Sequence, residues 1–142
     1  MGWTKLEDQL LQLRASLGLD QAVEFVGHKP DLWPMLHAAD LMVHSSHAEG
    51  VPIAVLYGMA AALPVVISDV GGVYEIIHQN KTGIRVTEND VDAFARAVGD
   101  LIDDPARRRQ LGEAARNFVV NEYSIEAACK RVEALYREVL AR

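Results

Sequence analysis

The stretch Val43 to Gly72, VHSSHAEGVPIAVLYGMAAALPVVISDVGG, carries the residues whose types and spacing could do chemistry. Glu49-Gly50 stands at the mouth of a helix-like run, between two apolar runs of strand type. Pro52 suits the first turn of a helix, where its missing N–H costs nothing. Gly50, just before it, lets the backbone come close to a ligand. The free N–H groups of such a helix start, with the helix dipole, favour an anion such as a phosphate. A carboxylate at Glu49 would repel that anion, but it can accept two hydrogen bonds from neighbouring sugar hydroxyls. An anion cradle beside a hydroxyl acceptor points to a phosphorylated sugar or a nucleotide sugar. The same spacing also fits Glu49 as a plain helix cap, and both readings stay open.

Three other groups of residues could take part. Asp69-Val70-Gly71-Gly72 is a second loop after an apolar run, and it reads equally as a tight turn, with Asp69 as a cap or as a ligand group. His44 and His47 lie three apart and His28 follows another apolar run, but no firm third ligand accompanies them, so no metal site is expected. Ser45 and Ser46 do not sit in a G-x-S-x-G elbow, which argues against a serine hydrolase.

The elements that must position these residues follow from periodicity. Residues 4 to 17 read as an amphipathic helix through Leu6, Leu10, Leu13 and Leu17, stopped at Gly18. AVEFVG (22–27) reads as a strand, and KPDLWPMLHAAD as a helix with Asp31 in the cap position and Pro34 in its first turn. LMVHSS, PVVIS and GIRV (83–86) read as three more strands, with a short helix through VYEIIHQ after Gly72. From residue 89 the chain reads as helices. Their apolar faces run through Val91, Phe94, Ala95, Val98, Leu101 and Ile102; then Leu111, Ala114, Ala115 and Phe118; then Ile125, Cys129, Val132, Tyr136 and Val139, after Ser124 as N-cap. Strands that alternate with helices and are near-continuously apolar belong to a parallel sheet covered on both faces. The expected class is α/β and Rossmann-like. It comprises one domain, with a leading helix (1–18), an α/β core (19–88) and C-terminal helices (89–142). In such sheets ligands bind beyond the C-terminal strand ends, where the Glu49 and Asp69 loops fall.

Composition narrows the partners. The 142 residues, half of them hydrophobic and 24% charged, suit a packed domain. A formal net charge of -6 argues against a nucleic-acid backbone as partner. The one basic run, Ala106 to Arg109, follows Asp103-Asp104 and reads as a solvated helix start. The single cysteine, Cys129, allows no internal disulfide and points to a reducing, cytoplasmic setting. No apolar run approaches the roughly 20 residues of a membrane span, and the start has no apolar core of signal-peptide type.

From about Leu17 onward the chain resembles the C-terminal, donor-binding half of family-4 retaining glycosyltransferases of the GT-B fold. The likeness rests on a combination: the strand ending at Gly27, then AAD, Ser46-x-x-Glu49-Gly50-x-Pro52, Met59-Ala60, Pro64-Val65-Val66, SDVGG with a following Glu, Thr82-Gly83, and the helical tail. The resemblance implies a metal-independent, cofactor-free transfer from a nucleoside-diphosphate sugar. It implies that Glu49 faces the transferred sugar's hydroxyls and that backbone N–H groups around Gly50 and Val51 hold the distal phosphate. Ser46, Pro52, Gly71 and Gly72 would complete the donor site, and backbone near Gly27 and His28 would read the base.

The chain departs from that pattern in several places. A second Glu, eight positions after the first, normally accepts hydrogen bonds from the ribose; here it is Tyr57, whose phenol cannot replace two carboxylate oxygens. Ala62 stands where the family usually has Gly. The family's first two strands, with the Arg and Lys that neutralise the diphosphate, have no counterpart here, nor does the N-terminal acceptor domain. A truncated sheet and an uncovered final helix imply self-association or a missing N-terminal partner. The competing reading is a catalytically silent remnant that uses the same scaffold to hold a partner. A flavodoxin-like or response-regulator module is disfavoured, because VGHKPD supplies no acidic or phosphate loop.

Overall fold

The computed structural model describes residues 3–141, and the chain divides into two compact units, Met1–Leu32 and Trp33–Arg142. In the first unit, helix α1 (Trp3–Ser16) ends where the sequence places its stop. Gly18 takes φ 67, and the N–H groups of Gly18 and Leu19 reach back to the carbonyls of Ala15 and Arg14 at 3.1 and 3.0 Å. Arg14 ties the following segment to this helix: Nε donates to Asp20 Oδ1 at 3.0 Å, Nη1 donates to the Val23 carbonyl at 3.2 Å, and the guanidinium lies 5.7 Å from the Phe25 ring centroid. Residues 22–27, expected as a strand, are irregular and exposed. A strand exists only where a neighbouring backbone exchanges hydrogen bonds with it, and no described residue forms a ladder with this segment.

The second unit opens with helix α2 (Trp33–Ala38), shorter than the apolar pattern suggests, with Pro34 in its first turn where it costs no hydrogen bond. Three strands follow, β1 (Met42–His44), β2 (Val65–Ser68) and β3 (Ile84–Val86), in a parallel sheet of order β1-β2-β3. Met42 to His44 pair with Val65 to Ile67, and Val66 to Ser68 with Ile84 to Val86. Strand β2 is buried from end to end because both faces are covered. Val65 and Ile67 pack with Val55, Met59 and Ala115, whereas Val66 packs with Ile84, Leu101 and Leu111 on the other side. Alternate side chains on opposite faces explain why the run had to be apolar at every position. Each fully buried Val or Ile contributes about 1.5–3 kcal/mol. Strand β1 is an edge, and its central Val43 is 51% exposed.

Between β1 and β2 runs helix α3 (Ile53–Ala60), and between β2 and β3 a 3₁₀ turn (Gly71–Glu75) replaces the short helix expected through His78 and Gln79. Thr82, buried, closes that connection: its hydroxyl accepts from the His78 N–H at 2.8 Å and donates to the Ile76 carbonyl at 3.2 Å.

Helices α4 (Val91–Asp103), α5 (Pro105–Glu122) and α6 (Ile125–Leu140) are capped by Asp90, Asp104 and Ser124, each accepting an N–H three residues on. Arg108 is more than solvated: its Nη1 donates to the carbonyls of Leu101 and Ile102 at 2.6 Å each, satisfying the end of α4. Leu111 and Ala115 are buried as the periodicity requires. Val91 and Ile102, expected on the α4 face, are 77% and 58% exposed, and α6 buries no residue.

Ala62 adopts φ 61 just past the end of α3, with its N–H donating to Met59 O at 3.0 Å. A Cβ in this left-handed region costs roughly 1–2 kcal/mol, partly offset by the greater unfolded-state freedom of glycine. Ala62→Gly is therefore expected to raise stability by about 1 kcal/mol, or a few degrees in Tm. Thermal unfolding of the two proteins checks this, and an equal or lower Tm would contradict it.

Candidate functional site

The site is built where β1 and β2 end. His44 closes β1, the loop Ser45–Val51 follows, and Pro52 stands as N-cap of α3 with φ -71, one place before the first helical turn in which it was expected. Helix α3 has no side-chain cap and no acid in its first turn. Glu49 is thus not its cap, and that reading of the sequence is removed. The backbone N–H groups of Gly50 and Val51 meet no acceptor among the described residues, and the space beside the Gly50 Cα is open. Two uncommitted donors thus stand before an uncapped helix.

The Glu49 carboxylate is held from within. Its Oε1 lies 2.7 Å from His44 Nε2, and Ser46 Oγ lies 2.9 Å from the same ring nitrogen. Hydrogen bonding from Ser46, and after it from His44, keeps the Glu49 carboxyl below its ordinary range, with burial opposing the shift. A serine, a histidine and an acid together suggest a hydrolytic triad, but the geometry excludes one. A triad needs the serine and the acid on opposite ring nitrogens, and here both meet Nε2.

The second loop braces the first. Gly71 takes φ 52, and a Cβ there would overlap the Glu49 carbonyl oxygen. A Cβ on Gly72 would lie 2.5 Å from the Gly50 carbonyl oxygen, and the Gly72 N–H donates to the Glu49 carbonyl at 3.3 Å. Gly71-Gly72 is therefore the seat on which Glu49-Gly50 rests. Asp69 is neither cap nor free: its carboxylate accepts from Arg85 Nη1 at 3.1 Å, and its N–H donates to the Val86 carbonyl at 2.7 Å, prolonging the β2–β3 ladder.

Tyr57 projects from the second turn of α3. Its ring meets Trp33 edge-on at 5.9 Å between centroids, and Trp33 lies 5.5 Å from His37. Gly27 and His28 belong to the first unit, where Gly27 takes φ 63 and both are exposed.

Sequence reasoning missed two features. His44 looked like an ordinary loop histidine, and only its place at the strand end and the return of the loop bring it to Glu49. His47 Nδ1 meets Glu88 Oε1 at 3.0 Å across 41 positions, beside a cleft of about 470 Å³ lined by Ser45, His47, Ser68, Thr87, Glu88 and Asn89. No signal short of the fold could pair those two. The cleft lies at the same strand ends but does not include Glu49 or Gly50. Among the described residues no three His, Cys, Asp or Glu side chains converge as a metal would need, and no helix is long and apolar enough to cross a membrane.

A parallel α/β sheet with its loops gathered beyond the strand ends defines a Rossmann-like ligand domain. The family model "Glycosyl transferases group 1" matches residues 1–118. The chain belongs to that family, and its fold is that of the C-terminal half of GT-B enzymes. It is 32% identical over 118 residues to a glycogen synthase of Mycobacterium tuberculosis, covering 82% of this chain and 28% of that protein. It superposes on the C-terminal domain of the group 1 glycosyl transferase LpcC of Francisella tularensis with TM-score 0.74 and 25% identity, covering 85% of this chain and 64% of that one. Anabaena HepE, crystallised with UDP-glucose, shares the fold with TM-score 0.88 at 22% identity, over 96% of this chain and 38% of its own. The chain thus spans well under half the length of the curated relatives it matches.

Proposed function

We propose that this chain is the donor-binding part of a retaining glycosyltransferase, taking a nucleoside-diphosphate sugar whose sugar is then passed to an acceptor. The observation that carries the reading is the Glu49-Gly50 loop itself: a carboxylate kept ionised beside two uncommitted N–H groups and open space. Gly50 and Val51 would take the distal phosphate, with Pro52 setting the entry of α3. Glu49, as the catalytic carboxylate of the reading, would accept from the sugar hydroxyls, with Ser46 supporting it. Group 1 membership and a fold relative crystallised with UDP-glucose support the same ligand class. Preorganised dipoles aimed at developing charge commonly lower the barrier more than any other single effect. In this reading the N–H groups of Gly50 and Val51 would supply them.

Titration with UDP-glucose followed by saturation-transfer NMR tests the reading. Binding at millimolar ligand, abolished in Glu49→Ala, is expected; no binding, or binding that Glu49→Ala leaves unchanged, overturns it. Tyr57 leans on Trp33 and offers no carboxylate, so Tyr57→Glu is expected to tighten nucleotide binding by about tenfold through a charged hydrogen bond to ribose. An unchanged affinity in Tyr57→Glu would show that this turn of α3 does not face the ribose.

The second reading, a silent module that holds a partner, draws on a different observation. Helix α6 leaves Ile125, Val132, Leu135, Tyr136 and Val139 at least half exposed. A sizing run at rising concentration separates the two, since concentration-dependent association without UDP-glucose binding supports the module.

A further inference from the structure

We propose that His44 is a positioning residue for Glu49: its Nε2 proton holds one carboxylate oxygen against the end of β1 and leaves the other oxygen to a ligand hydroxyl. The identity of that ligand rests on the donor reading above; the contact itself rests on geometry.

His44 is the last residue of β1 and pairs with Ile67 of the fully buried β2, so the base of its side chain is fixed by a ladder. Glu49 stands on a loop and has no such support of its own. At 2.7 Å between Nε2 and Oε1 a proton must lie between the two atoms, because two lone pairs would repel. The carboxyl is held ionised, so the proton belongs to the ring. Ser46 Oγ, 2.9 Å from the same nitrogen, then cannot donate to it and is left to donate to the carboxylate.

Shielding separates this pair from the neighbouring one. His44 and Glu49 side chains are 21% and 22% exposed, whereas His47 and Glu88, of the same chemistry, are 78% and 40% exposed. The open pair is screened by water and holds little in place. The shielded pair sets a carboxylate rotamer before the ligand arrives, which spares the cost of ordering it during binding. The Gly71-Gly72 seat fixes the backbone of Glu49, and His44 fixes its side chain.

Two measurements on the whole chain test this. Long-range ¹H–¹⁵N correlation of the imidazoles is expected to show Nε2 of His44 protonated at neutral pH, with its resonances displaced in Glu49→Ala; a bare Nε2 overturns the proposal. Calorimetric titration with UDP-glucose and with UDP is then compared across the wild type, His44→Leu, His44→Gln and Glu49→Ala. His44→Leu is expected to weaken UDP-glucose about tenfold while leaving UDP unchanged. His44→Gln, whose amide donates from a similar place, is expected to recover most of the loss. A His44→Leu protein that binds UDP-glucose like the wild type, or loses both ligands equally, overturns the positioning role. A wild type that binds neither UDP-glucose nor UDP overturns the donor reading instead, and the ring tautomer then decides the His44–Glu49 contact alone.

Discussion

Gly71→Ala is expected to reduce UDP-glucose binding by about a hundredfold while leaving the secondary structure intact, the upper scale of losing a charged hydrogen bond. The added methyl would overlap the Glu49 carbonyl oxygen, and φ 52 is a conformation alanine adopts only under strain. The overlap is relieved by moving the Glu49-Gly50 loop off its seat, and the strain by turning the backbone at position 71, which shifts that seat as well. The loop is exposed at Gly50 and Val51, so it has room to move and the core need not open. Circular dichroism and a UDP-glucose titration together check the outcome. Gly50→Ala is the control: its Cβ meets nothing within 4 Å and its φ is not left-handed, so the protein keeps its stability. Any loss of binding in that variant comes from filling the space assigned to the ligand. Retained affinity in Gly71→Ala would show that the loop's position does not matter to binding.

Gly112→Ala is expected to destabilise the second unit by about 3 kcal/mol, the upper end of ordinary overpacking, with a fall in Tm on the order of 10 °C. Gly112 is buried on α5 where that helix crosses the end of α3, and a Cβ would overlap the Ala62 carbonyl oxygen. The obstacle is backbone, held by the Ala62 and Leu63 N–H groups that close α3 onto Met59 and Gly58 at 3.0 Å. No rotamer change relieves it; α5 must move, carrying Ala115 away from Val55 and Met59. Urea unfolding with an unchanged slope and a lower midpoint is the expected signature. A midpoint equal to that of the wild type would mean that α5 shifts at no cost.

Much of the architecture was legible because it rests on local patterning. PVVIS reads as a strand buried on both faces, and β2 is one. Pro105 and Ser124 punctuated the final helices because caps and proline act on the backbone within a few residues. The failures lie where a partner had to be supplied from elsewhere. AVEFVG has strand composition but no ladder, and the residues after Gly72 form a 3₁₀ turn where an α-helix was expected. The α4 and α6 faces were drawn correctly as helical stripes, yet Val91, Ile102 and the whole α6 stripe remain in solvent.

For the site the division is equally physical. Glu49, Gly50, Pro52 and the Gly71-Gly72 pair stood out in the sequence as candidates, because a carboxylate, a glycine or a proline at a helix mouth or a turn has only a few physical roles to choose between. Which of them bears on which could not. That Gly71 seats Glu49, that Asp69 is taken by Arg85, that His44 rather than a ligand first meets Glu49, and that the Ala62 carbonyl leaves no room for a Cβ at Gly112 are all consequences of strand register and loop packing. Residue type sets what chemistry is available within a few bonds of each Cα. The parallel ladder, which brings the ends of β1 and β2 side by side, decided which of those chemistries meet.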